Sequence, residues 1–322
     1  MNRPPSDPAA LLALAQDNDR VALARLISLV ERGGEPGLAV ARLAYRSAVP
    51  YTVGLTGAPG SGKSTLTDRL ITVARTGWGG PSPEALDQVG VLAIDPTSPF
   101  SGGAILGDRV RMQQHVLDPS VFIRSMATRG HLGGLALAVP DAIRVLGAAG
   151  LPVVIIETVG VGQMEVEVAS AADTTVVVVT PGWGDSMQAN KAGLLEIADL
   201  FVINKADRPG AREARRDLEQ MLDLSTLGAW RPPVIDTIAA TGEGVAELWS
   251  EIARHRAHLL DNGLLEPRRT ERVAHELRRV MVARSRVRIE EVAAGEEFSR
   301  AVKAVAAGEL DPYEAADRLG PG

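Results

Sequence analysis

Tyr51-Thr-Val-Gly-Leu-Thr56-Gly57-Ala58-Pro59-Gly60-Ser61-Gly62-Lys63-Ser64-Thr65 decides the fold of this chain. The first six residues have the β-branched and aromatic character of a buried strand, and the next eight match GxxxxGK[ST]. The glycines Gly57, Gly60 and Gly62 let successive backbone N–H groups turn inward around phosphate oxygens. A helix opening at about Gly62 adds the partial positive charge of its N-terminus. Lys63 then reaches the β- and γ-phosphates, the Ser64 hydroxyl is placed to ligate Mg²⁺, and Thr65 continues the cradle. A glycine-rich turn without ligand is the competing reading, and the strand before and helix after argue against it.

Outward from this loop, β-branched runs alternate with helical stretches: Val89 to Ile94, Val121 to Arg124, Val153 to Ile156, Thr175 to Thr180, Leu200 to Asn204 and Val234 to Ile238. Several are apolar without alternation, the mark of parallel strands covered on both faces. The fold class expected is therefore α/β, a P-loop NTPase with a mostly parallel sheet flanked by helices. Residues 1–46 read as an N-terminal cap of two or three short helices and 47–262 as the nucleotide-binding α/β domain. Residues 263–322 read as a C-terminal helical arm, with Val273, Leu277, Val280 and Met281 on one face and eight arginines between Arg268 and Arg288. A second helix is expected from Glu290 to Ala307 and a short one after Asp311.

Composition narrows the chemistry. The 322 residues carry 34 Lys plus Arg against 40 Asp plus Glu, a net charge of −6, so no global basic field draws nucleic acid or anionic lipid. With no cysteine, disulfides, thiolate zinc sites and thiol nucleophiles are excluded together. Of the five histidines none forms HExxH, and the i, i+3 pair His255 and His258 reads as a solvated helix face. Aromatic residues make up 3%, too few for stacking platforms for single-stranded nucleic acid. No apolar run approaches the roughly 18 residues that span a bilayer, and Asp7, Asp17 and Asp19 argue against a transit peptide, so a cytoplasmic protein without a membrane partner is expected.

A phosphate cradle does not choose a base. Asn204-Lys205-Ala206-Asp207 follows an apolar strand, at the carboxyl edge where open sheets bind ligands. A carboxylate at Asp207 accepts from both N1–H and the 2-amino group of guanine, whereas adenine leaves it unpaired and desolvated. The stem of Lys205 is expected over the base, and the backbone N–H near Ala239 in Ile238-Ala239-Ala240-Thr241-Gly242 is expected at guanine O6. Asp95 and Glu157 end two further strands at the same edge and suit Mg²⁺ ligation, directly or through water. Gly160 in Glu157-Thr-Val-Gly160 resembles the glycine whose N–H contacts the γ-phosphate in GTPases. Pro96 to Gly107, ending at Asp108-Arg109, reads as a switch, and Pro181-Gly-Trp-Gly-Asp185 as a second mobile candidate. Small GTPases orient the attacking water with a glutamine directly after that glycine. Here the position holds Val161, with Gln163 two residues on, so unaided GTP hydrolysis is expected to be slow.

The set GAPGSGKS, Asp95-Pro-Thr-Ser, Gly102-Gly-Ala-Ile-Leu-Gly-Asp108-Arg109, Glu157-Thr-Val-Gly-Val-Gly-Gln163, Pro181-Gly-Trp-Gly-Asp185 and Asn204-Lys-Ala-Asp207 resembles the MeaB/ArgK/MMAA family over nearly the whole chain. The resemblance implies a G domain of the SIMIBI class that binds GTP and GDP with Mg²⁺. It implies a chaperone of an adenosylcobalamin-dependent acyl-CoA mutase, chiefly methylmalonyl-CoA mutase, gating cofactor delivery and protecting the enzyme. It also implies a homodimer formed through the C-terminal arm. By resemblance Asp95, Asp108 and Glu157 fall at metal and switch positions, with Lys63 beside them at the catalytic centre, and Asp185 and Lys191 fall in a further switch. Ile238-Ala239-Ala240 departs from the usual Ser-Ala start of the last guanine-contacting loop. A metallochaperone GTPase for nickel or zinc, a P-loop metabolite kinase and a nucleotide-stabilised scaffold are the competing readings; the lack of cysteine and the scatter of histidines speak against the first.

Overall fold

The computed structural model describes residues 7–76, 86–95, 112–115, 117–127, 134–158, 171–182, 191–225 and 228–320. Three helices come first: α1 (Pro8–Gln16), α2 (Arg20–Arg32) and α3 (Gly34–Ala44). Asp7 caps α1 by accepting from Ala10 N–H at 3.0 Å, and Asp19 caps α2 by accepting from Val21 and Ala22 N–H at 2.8 and 3.0 Å. Gly33, with φ +68°, closes α2 and turns the chain into α3.

The strands β1 (Tyr51–Thr56), β2 (Val89–Asp95), β3 (Val121–Ala127), β4 (Val153–Thr158), β5 (Thr174–Val179), β6 (Leu200–Asn204) and β7 (Val234–Thr237) alternate with helices. These helices are α4 (Lys63–Thr76), α5 (Gly134–Ala148), α6 (Lys191–Ile197), α7 (Ala211–Leu224) and α8 (Val245–Asp261). Among the described residues the strands form one sheet in the order β3-β2-β4-β1-β5-β6-β7, and all six pairings are parallel. β1 therefore lies at the centre, with Leu55 beside Glu157 on one side and Val176 on the other.

Successive strand residues point to opposite faces, and here both faces are covered. On one, Leu92, Ile94, Phe122, Val154 and Ile156 pack with Leu11, Leu26 and Ile27 of the first helices and Ile143 and Leu146 of α5. On the other, Val53, Leu55, Val91, Ile155, Val176 and Val202 pack with Leu66, Leu70 and Ile71 of α4 and Trp249 and Ile252 of α8. Val177, Phe201 and Ile203 meet α7 in a third cluster. The near-continuous apolar runs are thus explained by burial from two sides.

Two histidines depart from the expected solvated face. His255 is buried, 1% exposed, because it falls on the α8 stripe that carries Leu248, Ile252 and Leu259 into the core. Its Nδ1 lies 2.8 Å from Thr174 Oγ1 and its Nε2 3.3 Å from Asp199 Oδ1, while Trp230 stacks at a tilt against both His255 and His258.

After α8, α9 (Leu265–Ala293), α10 (Glu296–Ala306) and α11 (Pro312–Leu319) complete the chain. The expected break near Glu290 falls instead at Gly295, which caps α10; beyond Pro267 in the first turn of α9, no Gly or Pro precedes it. The chain divides into two units, Met1–Arg272 and Val273–Gly322. The root of α9 belongs to the first. There Arg269 and Arg272 grip the buried Asp173 and Arg268 grips Asp199, two carboxylates at the starts of β5 and β6. In the second unit Leu277 and Met281 are 58% and 60% exposed.

Candidate functional site

All-parallel strands put their carboxyl ends on one edge, and the loops there build the site. Three glycines of the loop after β1 have positive φ: Gly57 at +139°, Gly60 at +76° and Gly62 at +93°. A Cβ on Gly57 would run into the Val178 carbonyl oxygen of β5, and one on Gly62 into Asn204 Nδ2. Glycine is required at both positions by conformation and by space. The loop leads into α4, whose N-terminal residue is Lys63. Lys63 Nζ donates to Gly57 O at 2.6 Å and Ala58 O at 3.0 Å, which holds the ammonium across the mouth of the loop. Pro59 and Ser61 complete the turn, and Thr65 is exposed at the start of the helix.

Ser64 Oγ donates to Glu157 Oε1 at 2.5 Å, and both residues are buried. Parallel pairing of β1 with β4 puts Glu157 level with Leu55, so the carboxylate reaches the first turn of α4. A hydroxyl and a carboxylate are hard oxygen donors of the kind Mg²⁺ takes, and they fit that ion beside a phosphate cradle. No group of three or more His, Asp or Glu residues gathered for a metal occurs among the described residues. Asp95 ends β2 at the same edge, but its side chain, together with Asp108, Gly160, Val161, Gln163 and Asp185, lies outside the described residues, as does the side chain of Lys191.

At the base end, Asn204 does structural work that its motif does not spell out. Its Nδ2 donates to Ser61 O at 2.8 Å, while its Oδ1 accepts from Thr237 Oγ1 at 3.2 Å and Ala239 N–H at 3.1 Å. One buried amide therefore ties the phosphate loop to the loop after β7. The Ala239 amide expected at guanine O6 is donated to Asn204 here. Lys205, in the left-handed region at φ +62°, donates from Nζ to Gly60 O at 2.7 Å, which lays its stem beside the phosphate loop. Asp207 is exposed. Thr237 and Arg69 are partners no motif announces. Arg69 donates from Nε and Nη2 to Ala239 O and Ala240 O at 3.2 and 3.0 Å.

The arrangement brings together the glycine loop after β1 with Lys63, the hydrogen-bonded pair Ser64 and Glu157, and Asn204 and Lys205 at the end of β6. Comparisons agree with it. The family model for methylmalonyl-CoA mutase-associated GTPase MeaB matches residues 23–295. A Pyrococcus abyssi protein named as a GTPase is 49% identical over 315 residues, 96% of this chain and 94% of that one. The GTPase ArgK of Escherichia coli is 34% identical over 82% of this chain and 80% of its own. The mitochondrial methylmalonic aciduria type A homolog of Mus musculus is 37% identical over 68% of this chain and 52% of its own. A crystal structure described as a LAO/AO transport system kinase superposes with a TM-score of 0.71 at 26% identity, covering 97% of this chain and 96% of that one. With a P-loop, a guanine-type base motif and a family match over most of its length, the chain belongs to the MeaB family of P-loop GTPases.

Proposed function

We propose that this GTPase is the nucleotide-gated chaperone of an adenosylcobalamin-dependent acyl-CoA mutase, with methylmalonyl-CoA mutase as the first partner to test. The observation that carries the reading is the family match over residues 23–295, to a model named for association with that mutase. A related protein whose name points to methylmalonic aciduria supports it.

In this reading the amides around Gly57 to Gly62 and the N-terminus of α4 bind the phosphates, and Lys63 exchanges its two loop carbonyls for β- and γ-phosphate oxygens. Ser64, with Glu157, Asp95 and Asp108, would hold Mg²⁺, which when bound neutralises charge developing on the phosphates. Asp207 reads N1–H and the 2-amino group of guanine, and Gly160 meets the γ-phosphate. With Val161 where small GTPases keep a water-orienting glutamine, turnover alone is slow and the partner supplies order. Exposed Leu277, Met281 and Ile289 on α9 suit a contact between two copies of the arm.

The test is GTP turnover by the purified chain with and without an adenosylcobalamin-dependent mutase. Acceleration by the mutase, lost in Lys63→Ala, is expected. Indifference to such mutases removes the chaperone role, and phosphate recovered on a small acceptor would replace it with a kinase.

A further inference from the structure

The loop after β7 is closed at its foot by its own backbone. Ile238 N–H donates to Glu243 O at 3.0 Å, and Thr241 and Gly242 N–H both donate to Ile238 O, at 3.0 and 2.9 Å. Its tip, Ala239-Ala240, is held differently, by two side chains. Asn204 takes the Ala239 N–H, and the Arg69 guanidinium takes the two consecutive carbonyls of Ala239 and Ala240. The chain has no cis peptide among the described residues, so each carbonyl held by Arg69 turns the amide that follows it to the other side of the backbone. The Ala240 N–H therefore faces away from Arg69.

Arg69 sits on α4, the helix whose N-terminus closes the phosphate loop. One rigid helix thus carries both references of a nucleotide site, Lys63 and Ser64 for the phosphates and Arg69 for the base loop. A guanidinium presents donors in a fixed fork, which suits two adjacent carbonyls better than a single ammonium does.

We propose that Arg69 is a positioning residue for base recognition, setting the distance and orientation of the Ala239-Ala240 tip relative to the phosphate cradle and thereby the selection of a 6-oxopurine over a 6-aminopurine. It rests on the guanine reading of the site. The tip faces the 6-substituent: guanine and hypoxanthine present an acceptor oxygen there, adenine an amino group. The 2-amino group is left to Asp207. Arg69 therefore governs one edge of the base and leaves the other untouched.

Calorimetric titration of the full chain with GDP, IDP and ADP, alongside thermal unfolding, tests this in the wild type, Arg69→Met and Arg69→Lys. Arg69→Met is expected to weaken GDP and IDP alike by about tenfold, with ADP changed by less than about twofold, so that GDP over ADP falls while GDP over IDP stays. Arg69→Lys, which keeps the charge but not the fork, falls between, and it decides the matter if Arg69→Met does not fold. Unchanged GDP affinity in a folded variant overturns the proposal, as does an equal loss for all three nucleotides, which would mark a general loosening. Failure of the guanine reading shows separately, as ADP held as tightly as GDP by the wild type.

Discussion

Replacing Asp173 by alanine tests what holds the root of α9 to the sheet. The carboxylate is fully buried just before β5. It accepts from Arg269 Nε at 3.1 Å and Nη2 at 2.7 Å, from Arg272 Nη2 at 2.9 Å and from Thr52 N–H of β1 at 3.0 Å. Burial by itself would raise this carboxyl, and the Arg269 hydrogen bonds with the Arg272 charge more than reverse it, leaving it below the ordinary range. Removing it strands two largely buried guanidiniums and one strand amide at once. Breaking a buried pair by deleting one partner costs about 3–5 kcal/mol, a large share of the ~5–15 kcal/mol that keeps a typical domain folded. Urea unfolding followed by tryptophan fluorescence reads the loss, since Trp249 lies in the same core. The triple change Asp173→Leu, Arg269→Met, Arg272→Met removes the charges together and is expected to recover most of the stability, because no uncompensated ion remains. Asp173→Ala within about 1 kcal/mol of the wild type, or a triple variant no better than the single, refutes the reasoning. The sign of the pH effect follows: with the folded value depressed, the contribution is full above the unfolded value of 3.8 and is lost as pH falls through the folded one.

A chain ending at residue 262 lacks Arg268, Arg269 and Arg272, so it should unfold at clearly lower urea than one ending at 294, and equal midpoints would contradict the ion pairs seen here. Gly62→Ala puts a methyl into Asn204 at φ +93°; a stability loss of about 2 kcal/mol and a fall in GDP affinity of at least about tenfold are expected by calorimetry, and normal binding would show the loop to be pliable. Burial pushes the His255 imidazole from 6.5 down to about 4 against the pull of Asp199, whose charge Arg268 already offsets. The unfolded chain then binds the extra proton first, so stability is full above pH 6.5 and falls by about 3 kcal/mol toward pH 4. His255→Gln should flatten that part of the unfolding profile, and an unchanged slope would assign it elsewhere.

The strand starts and the phosphate loop were legible because their signals are local. Val153 to Ile156 and Val176 to Val179 are apolar on both faces, and only a sheet covered from both sides accommodates that. GxxxxGKS needs no distant partner to be read, since backbone torsion and the N-terminus of the following helix make the cradle. The family resemblance was equally open, because each of its motifs, from GAPGSGKS through Glu157-Thr-Val-Gly-Val-Gly-Gln163 to Asn204-Lys-Ala-Asp207, is one contiguous stretch.

Tertiary structure decided what depends on residues far apart in sequence. His255 and His258 carry no mark telling which faces water; only the α8 register against β5 buries His255 on Thr174 and leaves His258 partly exposed. Arg69 meets Ala239 across 170 residues, and Arg272 meets Asp173 across 99, contacts that no spacing rule anticipates. Hydrophobic periodicity and turn chemistry are properties of neighbours along the chain. The partner of a buried polar group is fixed only when the whole sheet brings the two together in a dry interior, where leaving either alone is too unfavourable to persist.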